Sequence, residues 1–152
     1  METLTPLNET QEKQVVQANN APLIHLSALS KFVIPFGSIL GPLITWLIWR
    51  DQSKFDDFHG KEALNFNLSF IVYKIAVVIL GLIMFLSPFL TLIHQNPDEN
   101  PLAVILSIPG LLIFIGGLGI LEIIWLILII VAAIKAGHGE WYRYPMIIRF
   151  IK

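Results

Sequence analysis

Residues 102–134 read LAVILSIPGLLIFIGGLGILEIIWLILIIVAAI, and this stretch contains a single ionisable side chain, Glu122. About 20 apolar helical residues are enough to cross the hydrocarbon core of a bilayer. Two other stretches, residues 23–49 and 63–93, are similarly apolar. The sequence therefore predicts an all-α, polytopic membrane protein with three transmembrane helices.

Composition agrees with this class. Hydrophobic residues make up 55% of the 152 residues and charged residues 14%, whereas about 25% of the residues in an average soluble domain are charged. The segments between the apolar stretches are too short to bury a separate core, because chains below about 40 residues rarely fold unaided. We expect residues 23–152 to form one helical transmembrane domain, preceded by a polar, disordered tail at 1–22.

Prolines and glycines leave the form of two stretches open. The first stretch contains Pro35, Gly37, Gly41 and Pro42, and prolines of this kind predict a kink or a break. It could be one bent crossing or a re-entrant pair of half helices. The third stretch is longer than a bilayer requires, so we expect an interfacial piece at 102–108 and a crossing at about 109–134.

The distribution of Lys and Arg predicts the orientation. The connection after the first stretch carries Arg50, Lys54 and Lys61, whereas residues 94–100 carry no Lys or Arg. Connections rich in these residues normally stay in the cytoplasm. Three crossings then place the N-terminus and His25 outside, and they place the first connection and the C-terminus in the cytoplasm.

A polar stripe leads into the second span. Its residues are Glu62, Asn65, Ser69 and Tyr73, at spacings of three, four and four. These spacings put the side chains on one face of a helix, and a polar face is costly in lipid unless it meets protein or water. We expect the stripe and the nearby Asn67 to point into the bundle or toward a partner subunit.

The start of the second span could form a metal or acid–base site. His59 and Glu62 could reach one ion, but two ligands are too few for a tight site. The chain has no cysteine, which excludes thiolate catalysis and Cys-type metal sites. We expect no enzymatic activity, cofactor or metal, and we expect interhelical hydrogen bonds from His59 and Glu62, with Asp56 or Asp57 capping the helix.

Glu122 should lie near the middle of the third span, because about a dozen helical residues separate it from the inner end of that span. A carboxylate at this depth needs a partner or a proton. Lys74 enters the membrane from the same side and is the predicted partner. The pair could form an ion or proton site, but a structural ion pair is the simpler interpretation.

The C-terminal segment, residues 137–152, mixes aromatic, aliphatic and cationic side chains in the manner of an interface anchor. Its candidate packing residues are Glu140, Tyr142, Tyr144 and Pro145. In the predicted orientation it shares one side of the bilayer with the start of the second span. We therefore expect it to dock against residues 58–67.

Five short segments resemble a bacterial family of small membrane proteins of unknown function. They are HLSAL at 25–29, GPLITWLIW at 41–49, FHGKEALNFN at 58–67, AIKAG at 133–137 and GEWYRYP at 139–145. That family is distantly similar to the channel component of the chloroplast inner-envelope protein-import (Tic) machinery. The resemblance implies an integral protein of the bacterial cytoplasmic (inner) membrane and, through the distant relationship, a role in protein import.

Two functions remain open at this point. The protein could be a non-enzymatic scaffold or accessory subunit that engages other membrane proteins. It could instead be a small homo-oligomeric channel or transporter, with Glu122 and the polar stripe lining a path. Both functions imply contact with the lipid bilayer and with a membrane-protein partner or a second copy of the chain. Neither function involves nucleic acid.

Overall fold

The computed structural model describes residues 20–94 and 101–152. Their regular structure is α1 at 20–26, a 3-10 helix at Ser27–Phe32, α2 at Gly37–Trp49, α3 at Lys54–His94 and α4 at Pro101–Gly137. No strand occurs in these two ranges, so the all-α prediction is confirmed for them. Residues 20–22, predicted to be disordered, are helical, while the rest of the predicted tail and most of the second connection lie outside the described residues.

The chain forms two compact units. The first unit contains residues 20–69 and 127–152 of the described chain, and the second unit is Phe70–Leu126. Helices α3 and α4 contribute residues to both units. The first unit also contains α1, α2 and the C-terminal segment.

The first apolar stretch folds back on itself within the first unit. The chain turns at residues 33–36, where Phe36 adopts a left-handed conformation with φ of 61°. Beyond the turn, α2 packs so closely on the 3-10 helix that a Cβ on Gly41 would overlap the backbone of Ser27. The Ser30 hydroxyl donates to the Gly37 carbonyl oxygen at 2.8 Å. The stretch is therefore a hairpin of two short helical pieces.

This hairpin changes the number of spans. Helix α2 has 13 residues, or about 20 Å at helical rise, which is too short for a hydrocarbon core of about 30 Å. Among the described residues, two helices are long and apolar enough to cross a membrane, within Lys54–Leu90 and Pro109–Gly137. The predicted third crossing is not confirmed.

The surroundings of α3 and α4 indicate membrane integration. Only 17% and 22% of their most apolar windows are buried inside the protein. A core helix of a soluble protein would be mostly buried, and soluble monomers rarely expose large apolar patches. The apolar surfaces of both helices are therefore suited to contact with lipid.

Helix α4 runs without interruption through Pro109, and its candidate span, Pro109–Gly137, lies close to the crossing predicted at about 109–134. Proline removes one backbone donor from a helix, but a full break would expose several more backbone groups. Because unpaired backbone groups are especially costly in an apolar environment, the continuous helix is the better solution. In the second unit, a Cβ on Gly110 would come within 2.9 Å of the Met84 carbonyl oxygen, which shows close backbone packing at this position.

Helix α3 begins directly after Ser53. The Ser53 hydroxyl accepts a hydrogen bond from the Asp56 backbone N–H at 3.0 Å, which is the usual arrangement of an N-cap. The prediction that Asp56 or Asp57 provides the cap is therefore wrong. These aspartates occupy the first turn of the helix instead, where acidic side chains interact favourably with the helix dipole.

Candidate functional site

Polar side chains are concentrated in the core of the first unit. Those buried there are His25, Ser53, Asp56, His59, Glu62, Asn65, Asn67 and Ser69. All but His25 lie on α3 or immediately before it. Burying a polar group costs free energy unless it is hydrogen-bonded, so the partners of these side chains define the site.

Asn65 holds the end of the C-terminal segment. Its Oδ1 accepts hydrogen bonds from the backbone N–H groups of Phe150 at 2.9 Å and Ile151 at 2.8 Å. Its Nδ2 donates to the Ile151 carbonyl oxygen at 2.8 Å. One side-chain amide thus pairs with the backbone of residues 150–151 much as a neighbouring strand would.

Ser69 and Glu62 extend this contact along α3. The Ser69 hydroxyl accepts a hydrogen bond from the Ile148 N–H at 2.8 Å. The Glu62 carboxylate accepts one from the Tyr144 N–H at 3.2 Å, and it pairs with Arg149 Nε at 3.5 Å. The predicted docking of the C-terminal segment on the start of the second span is therefore present in the structure, and three residues of the predicted stripe carry it.

Two histidines and a tyrosine form a hydrogen-bonded chain beside this contact. His25 Nε2 lies 2.8 Å from His59 Nδ1, and His25 Nδ1 lies 3.0 Å from the Tyr144 hydroxyl. His59 Nε2 lies 3.2 Å from the carbonyl oxygen of Glu140. All three side chains are buried, and together they connect α1, α3 and the C-terminal segment.

The Glu140 carbonyl fixes the direction of this chain. A carbonyl oxygen only accepts, so His59 Nε2 must carry a hydrogen and His59 Nδ1 of the neutral ring must accept. His25 therefore donates from Nε2 and accepts at Nδ1, where the Tyr144 hydroxyl donates. With both imidazole rings neutral, each ring nitrogen of His25 and His59 and the Tyr144 hydroxyl takes part in a hydrogen bond.

Burial keeps these groups in their neutral forms. Desolvation, followed by the proximity of His59, lowers the pKa of His25 from 6.5 to about 3. Desolvation also raises the pKa of Tyr144 well above its usual value, and the nearby Tyr142 and Glu62 add to this shift. The hydrogen-bonded series of His25, His59 and Tyr144 is therefore neutral at ordinary pH.

Aromatic rings complete the packing of the C-terminal segment. The ring of Tyr144 stacks on Phe66 with centroids 3.9 Å apart and an interplanar angle of 12°. Tyr142 meets Tyr144 edge to face at 5.4 Å. The next residue, Pro145, is exposed in a turn at 145–146. Tyr144 is therefore the anchor of this segment, whereas Pro145 faces solvent or lipid.

Other predicted residues have separate roles. Asn67 Nδ2 donates to the Ala63 carbonyl oxygen of its own helix at 2.8 Å. The Glu140 side chain pairs with Lys135 at 2.7 Å, which lowers the pKa of this exposed carboxyl. Only the backbone carbonyl of Glu140 takes part in the histidine chain. Glu140 therefore contributes to the site through its backbone, and its charged side chain lies outside the site.

Three predicted residues lie in the second unit. Lys74 Nζ is 2.5 Å from Glu122 Oε1, which is the pair that the depth argument predicts. Lys74 also lies 5.9 Å from the centre of the Trp125 ring. Tyr73 packs near Phe70, with ring centroids 5.9 Å apart. Helical spacing placed Tyr73 on the stripe, and the structure assigns it to the second unit, whereas Glu62, Asn65 and Ser69 belong to the first.

His25 is the main residue that the sequence reasoning missed. The sequence-based orientation puts it outside the membrane, far from His59, and the direct hydrogen bond between the two rings shows that this prediction is wrong. The reason is the α1–α2 hairpin, which returns the chain to the side on which it starts. The glycines at 37 and 41, which allow the two pieces to touch, were the available signal.

The geometry of the first unit does not favour a metal centre at His59 and Glu62. In the part of the chain that the structure describes, no group of three or more His, Asp or Glu side chains is arranged to hold an ion. His25 and His59 already satisfy each other through hydrogen bonding. The arrangement is suited to fastening the C-terminal segment and α1 onto α3.

These features define a small helical protein with two apolar helices suited to membrane integration and a polar, largely hydrogen-bonded core in its first unit. Residues 17–151 match the magnetosome magnetite crystal formation protein family, and the chain belongs to that family. No curated protein and no solved structure matches it. The family supports the predicted resemblance to small bacterial membrane proteins. It offers no evidence of a relationship to the chloroplast import component.

Proposed function

We propose that this protein is a non-enzymatic accessory protein of magnetite crystal formation that acts in a membrane by engaging other membrane proteins. The observation that carries the proposal is the family match, which covers nearly the whole chain. The match supports a role in crystal formation. The geometry of the first unit supports a role through protein contacts.

The bonding of the polar core supports the non-enzymatic part of the proposal. Glu62, Asn65 and Ser69 direct their polar atoms to the backbone of the C-terminal segment. The two buried histidines bond to each other and to Tyr144 and Glu140. These groups stabilise the fold, and a general base would instead need to reach a substrate proton.

The outward side of the C-terminal segment is the proposed partner surface. While Tyr144 is buried, Trp141 is 58% exposed, Met146 86% and Phe150 52%. Aromatic residues and Met are enriched at protein interfaces. Because Asn65 and Ser69 hold the backbone of this segment in place, its exposed side chains would bind a partner with little loss of conformational entropy.

We also propose that the first unit faces the cytoplasm. The cations of the first connection and of the C-terminal segment belong to this one unit. Loops rich in Lys and Arg are retained on the cytoplasmic side. A bacterial inner membrane, or a membrane derived from it, would give the unit that orientation.

The contacts of the polar stripe and of Glu122 do not favour a channel or import function. Glu62, Asn65 and Ser69 are occupied by the C-terminal segment, and Glu122 is paired with Lys74. No described contact therefore favours a conducting path. The proposal of a membrane accessory protein needs no such path.

The test is a replacement experiment in a magnetite-forming bacterium that lacks its own member of this family. Expression of the full chain should restore the size of the magnetite crystals, measured by electron microscopy, relative to an empty vector. Crystals that stay at the empty-vector size, with the protein present in the magnetosome fraction at normal abundance, would contradict the proposal.

Two variants separate the partner surface from the fold. Met146→Ser with Phe150→Ser should lose crystal restoration while the protein remains folded and membrane-bound. Val33→Ser with Phe36→Ser is the matched control, because these exposed apolar residues lie in the α1–α2 turn. If both variants restore crystal size equally, the C-terminal segment is not the partner surface.

A further inference from the structure

A polar cleft of about 710 Å³ opens in the first unit. It lies between the end of α2, the connection to α3, the first turns of α3 and the last residues of the C-terminal segment. Four cationic side chains line it: Arg50, Lys54, Lys61 and Lys152. Its volume falls within the range of about 300–1,000 Å³ typical of small-ligand sites.

The cleft has an excess of positive charge. Its two carboxylates are Asp51 and Asp57. Asp57 is occupied, because it pairs with Lys61 at 2.7 Å and accepts a hydrogen bond from Trp46 Nε1 at 3.0 Å. Asp51 lies 3.6 Å from Arg50 Nε.

Two cations remain after these pairings. Among the described residues, Lys54 and Lys152 have no carboxylate within ion-pair distance. Both side chains belong to exposed residues. The cleft therefore offers two uncompensated ammonium groups to an anion.

The surroundings of the cleft indicate the source of the anion. Trp46, which lines the cleft, belongs to α2, whose exposed side chains include Ile44, Leu47 and Ile48. Trp side chains favour the boundary between hydrocarbon and headgroups. At Lys54 the apolar helix α3 begins. Cations thus lie where apolar surface gives way to polar surface.

We propose that this cleft binds the phosphate-bearing headgroup of an anionic phospholipid, with Lys54 and Lys152 as the principal contacts. The lysines would attract the phosphate electrostatically, as basic groups near a membrane surface attract anionic lipids. The acyl chains would lie along the exposed apolar side of α2. This proposal depends on membrane insertion and is independent of the role in crystal formation.

The test measures lipid binding to the full chain in neutral detergent by native mass spectrometry. Phosphatidylglycerol should bind with higher affinity than phosphatidylcholine. Lys54→Gln with Lys152→Gln should weaken phosphatidylglycerol binding by about tenfold or more, since each basic residue contributes measurably near an anionic surface. Circular dichroism should show the same helix content for this variant and the wild type.

Lys31→Gln with Arg143→Gln is the matched control, because it removes the same charge away from the cleft. Its affinity for phosphatidylglycerol should equal that of the wild type. Equal weakening by both double variants would show attraction to net charge only and would overturn the site. Displacement of the lipid by millimolar glycerol 3-phosphate would contradict the proposal that the ligand is a lipid, since a soluble phosphate ester would then be enough to fill the cleft.

Discussion

His25 links the stability of the first unit to pH. Its ring is fully buried between His59 and Tyr144 and is bonded to both. The unfolded chain would take up a proton on this ring near pH 6.5, whereas the folded chain would do so only near pH 3. Folded-state stability should therefore fall as the pH is lowered through this interval.

The first prediction concerns that dependence. For one proton, the free energy of unfolding should decrease by about 1.4 kcal/mol per pH unit between pH 6 and about pH 4. His25→Gln keeps a donor and an acceptor but cannot titrate, so its unfolding should depend less on pH. Denaturant unfolding in detergent, followed by Tyr and Trp fluorescence, measures the difference.

His94→Gln is the control for this prediction, because His94 is exposed near the end of α3. Its pH dependence should match that of the wild type. An unchanged pH dependence in His25→Gln would show that His25 does not stay neutral in the folded protein.

The second prediction concerns Asn65. Replacement by Leu removes three hydrogen bonds to residues 150–151 and leaves backbone groups unpaired. The local cost should be about 2 kcal/mol, which corresponds to about 30-fold faster hydrogen exchange at the Phe150 and Ile151 amides. Gln52→Leu, an exposed amide in the same unit, should leave these exchange rates unchanged. Equal rates in Asn65→Leu and wild type would contradict the proposed fastening.

At this scale the sequence predicted part of the site. Spacing alone placed Glu62, Asn65 and Ser69 on one face, because helical periodicity is a local property. It could not identify Tyr144 N–H or His25 as partners, since those contacts join residues more than 80 positions or a full hairpin apart. The shared helix face was predictable, but the long-range contacts needed the structure.

The α1–α2 hairpin is the element on which the arrangement of the first unit depends. Gly41 allows α2 to approach the Ser27 backbone, and the Thr45 hydroxyl lies 3.2 Å from the Ser27 hydroxyl. The close approach brings the beginning and the end of the hairpin together. That geometry in turn places His25 next to His59.

The third prediction tests this packing. Gly41→Ala should destabilise the protein by about 1–3 kcal/mol, the usual cost of overpacking. The added Cβ would overlap the backbone of Ser27, which cannot shift without disturbing the 3-10 helix. Gly119→Ala is the matched control: no atom lies within 4 Å of its added Cβ, and alanine favours a helix. Thermal unfolding in detergent should separate the two variants. A Gly41→Ala protein as stable as the control would contradict the close contact.

The elements were predictable to different degrees. The long helices followed from runs of apolar residues, whose length is set by the bilayer. The hairpin did not follow, because prolines and glycines at 35–42 are compatible with either a kink or a reversal. The continuity of α4 through Pro109 could not be read from the sequence for a similar reason: proline weakens a helix locally, and the apolar surroundings decide whether the helix continues.

At the scale of the whole molecule, the hydrogen bonds of the first unit determine which segments share one side of the membrane. In the first unit, α1, the start of α3 and the C-terminal segment are joined by direct hydrogen bonds. They must therefore share one face of the membrane. The sequence-based orientation, in which His25 and His59 lie on opposite faces, cannot hold together with these bonds.

The fourth prediction tests that claim in the cysteine-free chain. Single variants Asn20→Cys, Gln52→Cys, Met146→Cys and His94→Cys are labelled with a membrane-impermeant maleimide in oriented vesicles. The first three should react from the same face, and His94→Cys, at the far end of α3, should react from the other. Reaction of Asn20→Cys from the face opposite to Gln52→Cys would show that the first apolar stretch crosses the membrane, and it would contradict the hairpin and the site built on it.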